Sequence, residues 1–142
     1  MTDSIRWRLH LAASPAEVYA LLATDEGRAR FWAESAVETD GSIDWRWPGG
    51  LSARTRVLEA VPPSRFGVEY FGGSRATFDL EEDGSGGTDL TLTDTGVRAE
   101  DWSETHAGWV SVLLALKAAA DHGVDLRNHD PSRTWEDGYV DN

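Results

Sequence analysis

The sequence predicts an α+β fold in which one long amphipathic helix is gripped by a curved antiparallel sheet of about seven strands. Three observations point there. Trp102, His106, Trp109, Leu113, Leu116 and Ala120 recur at spacings of four, three, four, three and four residues, so they share one face of a helix. Upstream, between Ala36 and Gly96, alternating stretches follow one another too closely for crossover helices, so their pairing is antiparallel. The helical stripe needs a broad surface to lie on, and that architecture leaves room for a cavity between helix and sheet.

Each element follows in order. Ile5, Trp7, Leu9 and Leu11 alternate with Arg6, Arg8 and His10, the pattern of a half-buried strand. Ser14-Pro15-Ala16-Glu17 then reads as a helix start, with Ser14 at the N-cap, Pro15 first in the helix and Glu17 closing a capping box. Val18, Tyr19, Leu21 and Leu22 form its buried side, and a second short helix covers Asp25–Arg30. A short strand at Ala36–Glu38 leads to Asp40-Gly41, a tight-turn signal. Ile43, Trp45 and Trp47 alternate next, and Pro48-Gly49-Gly50 turns the chain. Leu51–Val61 is a long strand ended by Pro62-Pro63. Phe66, Val68 and Tyr70 alternate, then Ala76, Phe78 and Leu80, then Leu90 and Leu92, with glycine turns between. The long helix runs to Gly123.

At 142 residues the chain is one domain, able to bury roughly 70% of its unfolded surface without a staple. Residues 1–123 are expected to form the ligand-binding domain, and 124–142 a polar tail packing on or near it. With no cysteine there are no disulfides, thiolate metal sites or cysteine nucleophiles. No window approaches the ~20 apolar residues of a membrane span, and no signal-peptide pattern opens the chain. The expectation is a cytoplasmic protein without membrane insertion. The net charge of −12 repels phosphate backbones, so nucleic acid is not an expected partner.

Four segments together resemble the START/Bet v 1-like (SRPBCC) superfamily, in particular its branch of homologues of the activator of the heat-shock-protein-90 ATPase. They are the opening strand with SPAEVYALLAT at Ser14–Thr24 and Phe31-Trp32; PGG at Pro48–Gly50; VLEAVPPSRFGVEY at Val57–Tyr70; and GGTDLTLTDTG with HAGW at His106–Trp109. The resemblance implies a helix-grip fold with a deep, mostly apolar cavity. Relatives include lipid carriers, hormone receptors, polyketide cyclases and many bacterial proteins, so it implies little about reaction.

Seven tryptophans are the chief site candidates. Trp32, Trp45, Trp47, Trp102 and Trp109 offer large rigid faces to a ligand, or else fill a core that would be loose without them. Trp7 and Trp135 are read as structural. Tyr70, Phe78 and Leu113 belong to inward-facing stripes and complete the expected lining. His106 would donate to a ligand carbonyl or act as acid and base; the alternative, which is favoured, is a partly buried histidine bonded to a strand. Gly108 inside the helix costs about 1 kcal/mol relative to alanine, offset by a close strand or by space for a ligand. Arg54 and Arg56 share a face of the long strand. Facing inward, Arg56 would orient a carboxylate or phenolate; facing outward, the favoured arrangement, the pair meets Glu69 or Glu81.

No metal or cofactor is expected. His122, His129, Asp125 and Asp130 match no zinc spacing, and there is no GxSxG elbow, P-loop or GxGxxG fingerprint. Trp135 and Tyr139 in the tail must dock on the core, close the cavity mouth or reach a second subunit, which leaves a homodimer possible.

The first expectation is binding or transport of a small hydrophobic molecule, apolar, aromatic or lipid-like. The second is a cofactor-free enzyme of polyketide cyclase or aromatase type, with His106, Arg56 and Tyr70 as its polar groups. A co-chaperone-like interaction module is the third.

Overall fold

The computed structural model describes residues 2–142. Seven antiparallel strands form one curved sheet: β1 (Thr2–Leu11), β2 (Ser35–Thr39), β3 (Ser42–Arg46), β4 (Ser52–Val61), β5 (Arg65–Glu69), β6 (Arg75–Glu82) and β7 (Thr88–Arg98). Their spatial order is β1-β7-β6-β5-β4-β3-β2, so every neighbour except the β1–β7 pair is a hairpin partner. Two short helices, α1 (Pro15–Ala23) and α2 (Asp25–Ala29), follow β1, and the long helix α3 (Trp102–His122) follows β7.

Local chemistry sets the boundaries. The Ser14 hydroxyl accepts from the Glu17 amide at 3.2 Å and so caps α1. Thr24 ends that helix and caps the next, accepting from the Gly27 amide at 3.0 Å. The β2–β3 hairpin turns through Asp40 (φ 52°) and Gly41 (φ 80°), both left-handed, as a primed two-residue turn demands. At the C-terminus of α3, Gly123 takes φ 63°, and the Gly123 and Val124 amides return to the carbonyls of Ala119 and Ala118.

The inward rows of the strands make the core. Ala76, Phe78 and Leu80 of β6 and Thr88, Leu90, Leu92 and Asp94 of β7 are all buried, a strict period of two. Phe66 and Val68 of β5, Ile43 and Trp45 of β3, and Trp109, Leu113 and Leu116 of α3 close over them. Arg28 is buried too; its guanidinium donates to the carbonyls of Ala36 and Leu22 and to Asp25, joining α1, α2 and β2. The sequence reading had not singled it out.

The last nineteen residues, 124–142, lie against α3 and the end of α2. Arg127 donates to the carbonyls of Ala33 (2.8 Å) and Ala29 (2.7 Å) and pairs with Asp125. His129 bridges Glu34 and Asp125, and the Ser111 hydroxyl donates to the Val140 carbonyl. Among the described residues, no helix is long and apolar enough to cross a membrane.

Candidate functional site: an aromatic-walled cavity

Rings fill the deep interior. Trp32 is the hub, with ring centroids 4.6 Å from Trp45, 5.4 Å from Phe78 and 6.0 Å from both Tyr70 and Trp109. On the outer side of this layer a cavity of about 460 Å³ remains open. Its floor is Trp32, Tyr70 and Trp109; its walls include Trp47, Phe71 and the N-terminal half of α3. At its mouth stand Arg98, Asp101, Glu104 and, from the tail, Arg127 and Trp135. A second hollow shares Ser111, Ala115, Arg127 and Trp135 and continues along Val110, Leu114, Leu126 and Val140.

The floor is held rigid by bonds from behind. Trp109 donates its indole N–H to Asp94 at 2.9 Å, and its ring stacks on Tyr70 at 4.7 Å. Trp32 donates to the Tyr70 hydroxyl at 3.1 Å, and Trp47 to the Trp32 carbonyl at 2.9 Å. Burial pushes the Tyr70 hydroxyl well above its ordinary pKa, with the nearby Asp94 adding to the effect, so the phenol stays neutral. Burial also raises the Asp94 carboxyl, against the opposing pull of the Trp109 bond.

The residues expected from the sequence fall into three groups. Trp32, Trp47, Tyr70 and Trp109 line the cavity. Trp45, Phe78 and Leu113 do not; they are buried behind the wall, where Trp45 donates to Thr55 Oγ1 at 2.8 Å. Trp102, His106 and Arg56 lie outside it altogether. His106 is sandwiched between Trp102 (4.4 Å) and Trp7 (4.6 Å), because the first turn of α3 passes over β1 rather than over the sheet centre. Its backbone carbonyl accepts from the Trp7 indole at 3.2 Å. Arg56 faces solvent, 3.7 Å from Glu69, and Arg54 pairs with Asp44, so Thr55 is the inward residue of that strand.

Gly108 lies in the cavity wall, and a Cβ there would meet nothing within 4 Å. Of the two offsets expected for it, space is the one present. Trp135, read from the sequence as structural, borders the mouth and donates to Glu104 at 3.1 Å. Asp94 and Phe71 were not anticipated. The signal for Asp94 was available, since it continues the Leu90, Leu92 alternation inward.

Among curated protein sequences, none matches this chain. Solved structures do. The Aha1 dimer of Colwellia psychrerythraea aligns with a TM-score of 0.76 and 23% identity, over 85% of this chain and 98% of that one. SSP2350 of Staphylococcus saprophyticus aligns with a TM-score of 0.76 and 21% identity, over 88% and 96%. CalU16 of Micromonospora echinospora gives 0.68 and 24%, over 82% and 73%. At these identities the likeness is one of fold. A sequence model of the "Activator of Hsp90 ATPase homolog 1-like protein" family matches residues 12–121, most of the chain, and the protein belongs to that family.

Proposed function

We propose that this protein binds a small apolar, ring-bearing molecule in the cavity between α3 and the sheet, as a carrier or a sequestering protein. The observation that carries the reading is the cavity of about 460 Å³ with Trp32, Tyr70 and Trp109 as its floor. That size falls in the usual range for small-molecule sites, and aromatic walls are their common lining. At ~25 cal/mol per Å², burying a few hundred Å² of ligand contributes several kcal/mol before association costs. The alternative, a cofactor-free enzyme of polyketide cyclase type, is less well supported. Of its three polar candidates only Tyr70 reaches the cavity, and a phenol of raised pKa is a weak proton acceptor near neutrality.

Native mass spectrometry of freshly purified protein, with titration of tryptophan fluorescence by 1-aminoanthracene, tests the proposal. Stoichiometric, saturable quenching that disappears in Gly108→Phe supports it. Quenching that is non-saturable or indifferent to that substitution rejects it. A homodimer is a further part of the proposal, resting on exposed Leu114, Leu126 and Val140 beside α3. Light scattering that gives the monomer mass at micromolar concentration would remove that part alone.

A further inference from the structure

The hydrogen-bonding groups around the cavity show which polar feature its occupant should carry. Four indoles line it, and all four N–H groups are engaged. Trp109 donates to Asp94, Trp32 to Tyr70, Trp47 to the Trp32 carbonyl and Trp135 to Glu104. Phe31 and Phe71 have nothing to give. Both guanidiniums at the mouth are also occupied, Arg98 by Asp101 and Glu100, Arg127 by Asp125 and two backbone carbonyls.

Tyr70 stands apart. Its oxygen accepts from Trp32, while its own O–H has no acceptor among the described residues. Tyr70 is among the residues that line the cavity, and burial keeps its hydroxyl protonated across the physiological range. An indole donating to a phenol oxygen polarises the phenol O–H and makes it a better donor, most of all in an apolar surround. The floor therefore presents one unengaged aromatic donor in a field of ring faces.

The charges nearby argue against an anionic occupant. Asp94 lies behind the floor, and Asp101 and Glu104 stand at the mouth. Asp101 is itself paired with Arg98, so an anion would meet the Asp94 and Glu104 carboxyl groups with no unpaired guanidinium beside them.

From this we infer that the ligand is a neutral, flat, ring-bearing carbonyl compound, and that Tyr70 donates to its carbonyl oxygen from the cavity floor. The inference rests on the binding role proposed above and adds the ligand's functional group, its charge and the residue that reads it.

The test uses three probes on one skeleton: 9-fluorenone, fluorene, in which a methylene replaces the carbonyl, and 9-fluorenone-4-carboxylate. Affinities are measured for the natural chain and for Tyr70→Phe. The fluorenone-to-fluorene affinity ratio is expected to fall about tenfold in Tyr70→Phe, the size of one hydrogen bond in an apolar site. Circular dichroism shows whether the variant is folded, and taking the ratio within each protein cancels any change in packing common to both probes. The infrared carbonyl band of fluorenone bound to the natural chain should lie below its position in an aprotic solvent. That measurement stands even where the variant does not fold. The carboxylate should bind more weakly than fluorenone.

If fluorene and fluorenone bind but the ratio is the same in Tyr70→Phe, or the bound carbonyl band is unshifted, the inference is wrong and the binding role survives. A carboxylate that binds as tightly as fluorenone overturns the neutral ligand. If no probe binds, both the inference and the binding role fall.

Discussion

Trp109 and Asp94 form a hydrogen-bonded pair in which a core carboxyl on β7 fixes a ring of the cavity wall, Nε1 to Oδ2, 2.9 Å. Asp94 occupies an inward position where its neighbours along the strand are Leu90 and Leu92, and it is fully buried. Its second oxygen makes no hydrogen bond of normal geometry, although the buried Ser74 hydroxyl lies close enough to oppose the rise in its pKa. The molecule thus tolerates a costly group in its core, and the benefit visible in the structure is the orientation of Trp109 against Tyr70.

Replacing Asp94 tests that relationship through pH. Burial raises the native carboxyl pKa above the ordinary 3.8, so the folded state holds its proton more tightly than the unfolded state. The associated stability is present below the ordinary value and is lost as pH rises through the native one. Asp94→Asn keeps an acceptor for Trp109 and removes the titration. Urea unfolding should find the variant at least as stable as the natural chain at pH 7, with the gap closing in acid. Asp94→Ala should instead lose about 1–3 kcal/mol, because the indole N–H is orphaned. A natural chain that gains on Asp94→Asn as pH rises would contradict the assignment.

A histidine latches the tail. His129 lies 2.7 Å from Glu34 and 2.7 Å from Asp125, and its bonds to Asp125 and Glu34 raise its pKa above 6.5. Desolvation pushes Asp125 the other way, but the Arg127 and His129 contacts outweigh it and hold that carboxyl well below its usual range. Docking of the tail should therefore be tightest below pH 6.5 and loosen as pH rises through the raised histidine value. Hydrogen exchange of the Asn128 amide, which bonds the Asp141 carbonyl, reports it once corrected for intrinsic rates. His129→Ala should flatten the profile; a profile that is already flat in the natural chain argues against the latch.

Gly108 predicts opposite outcomes for small and large substituents. Nothing lies within 4 Å of an added Cβ, so Gly108→Ala should stabilise α3 by roughly 0.5–1 kcal/mol from helix propensity alone. Gly108→Phe should fold and block the cavity. Calorimetry of both variants, with a binding titration of the second, checks the pair. Destabilisation by alanine would mean the wall is more crowded than the structure shows.

Arg28 should be among the most sensitive positions away from the cavity. Its guanidinium is fully buried and serves the carbonyls of Ala36 and Leu22 as well as Asp25. Arg28→Met leaves those acceptors without a donor and should cost about 3 kcal/mol in chemical denaturation. Gly27 beside it allows no side chain, since a Cβ would come within 2.4 Å of the Ala20 carbonyl oxygen. A near-neutral Arg28→Met would show that water replaces the lost donors.

Most of the architecture was legible along the chain because its signals are local. The alternation of Ala76, Phe78 and Leu80, the Ser14 cap and the Asp40-Gly41 turn each act within a few residues, and each appears in the structure as expected. The candidate site was legible only in part. Trp102, His106 and Trp109 share one helical stripe, yet Trp109 faces the cavity while the other two stack over β1 with Trp7. A stripe reports which side of a helix is apolar, not which neighbour each turn meets. Trp45 and Trp47 likewise share a face and stack at 5.4 Å, but Trp45 lies in the core and Trp47 in the wall. Trp45 lies within β3, whereas Trp47 lies just past its end, beside the turn at Pro48–Gly50.

Element types, strand pairing and the amphipathic long helix were thus readable from period and punctuation, because backbone geometry imposes those on any chain with this pattern. Which rings surround empty space, which carboxyl stands behind them and where the tail lies were settled by packing. Those contacts join residues far apart in the chain, as Trp32 with Tyr70 and Arg127 with Ala29, and no local period records them.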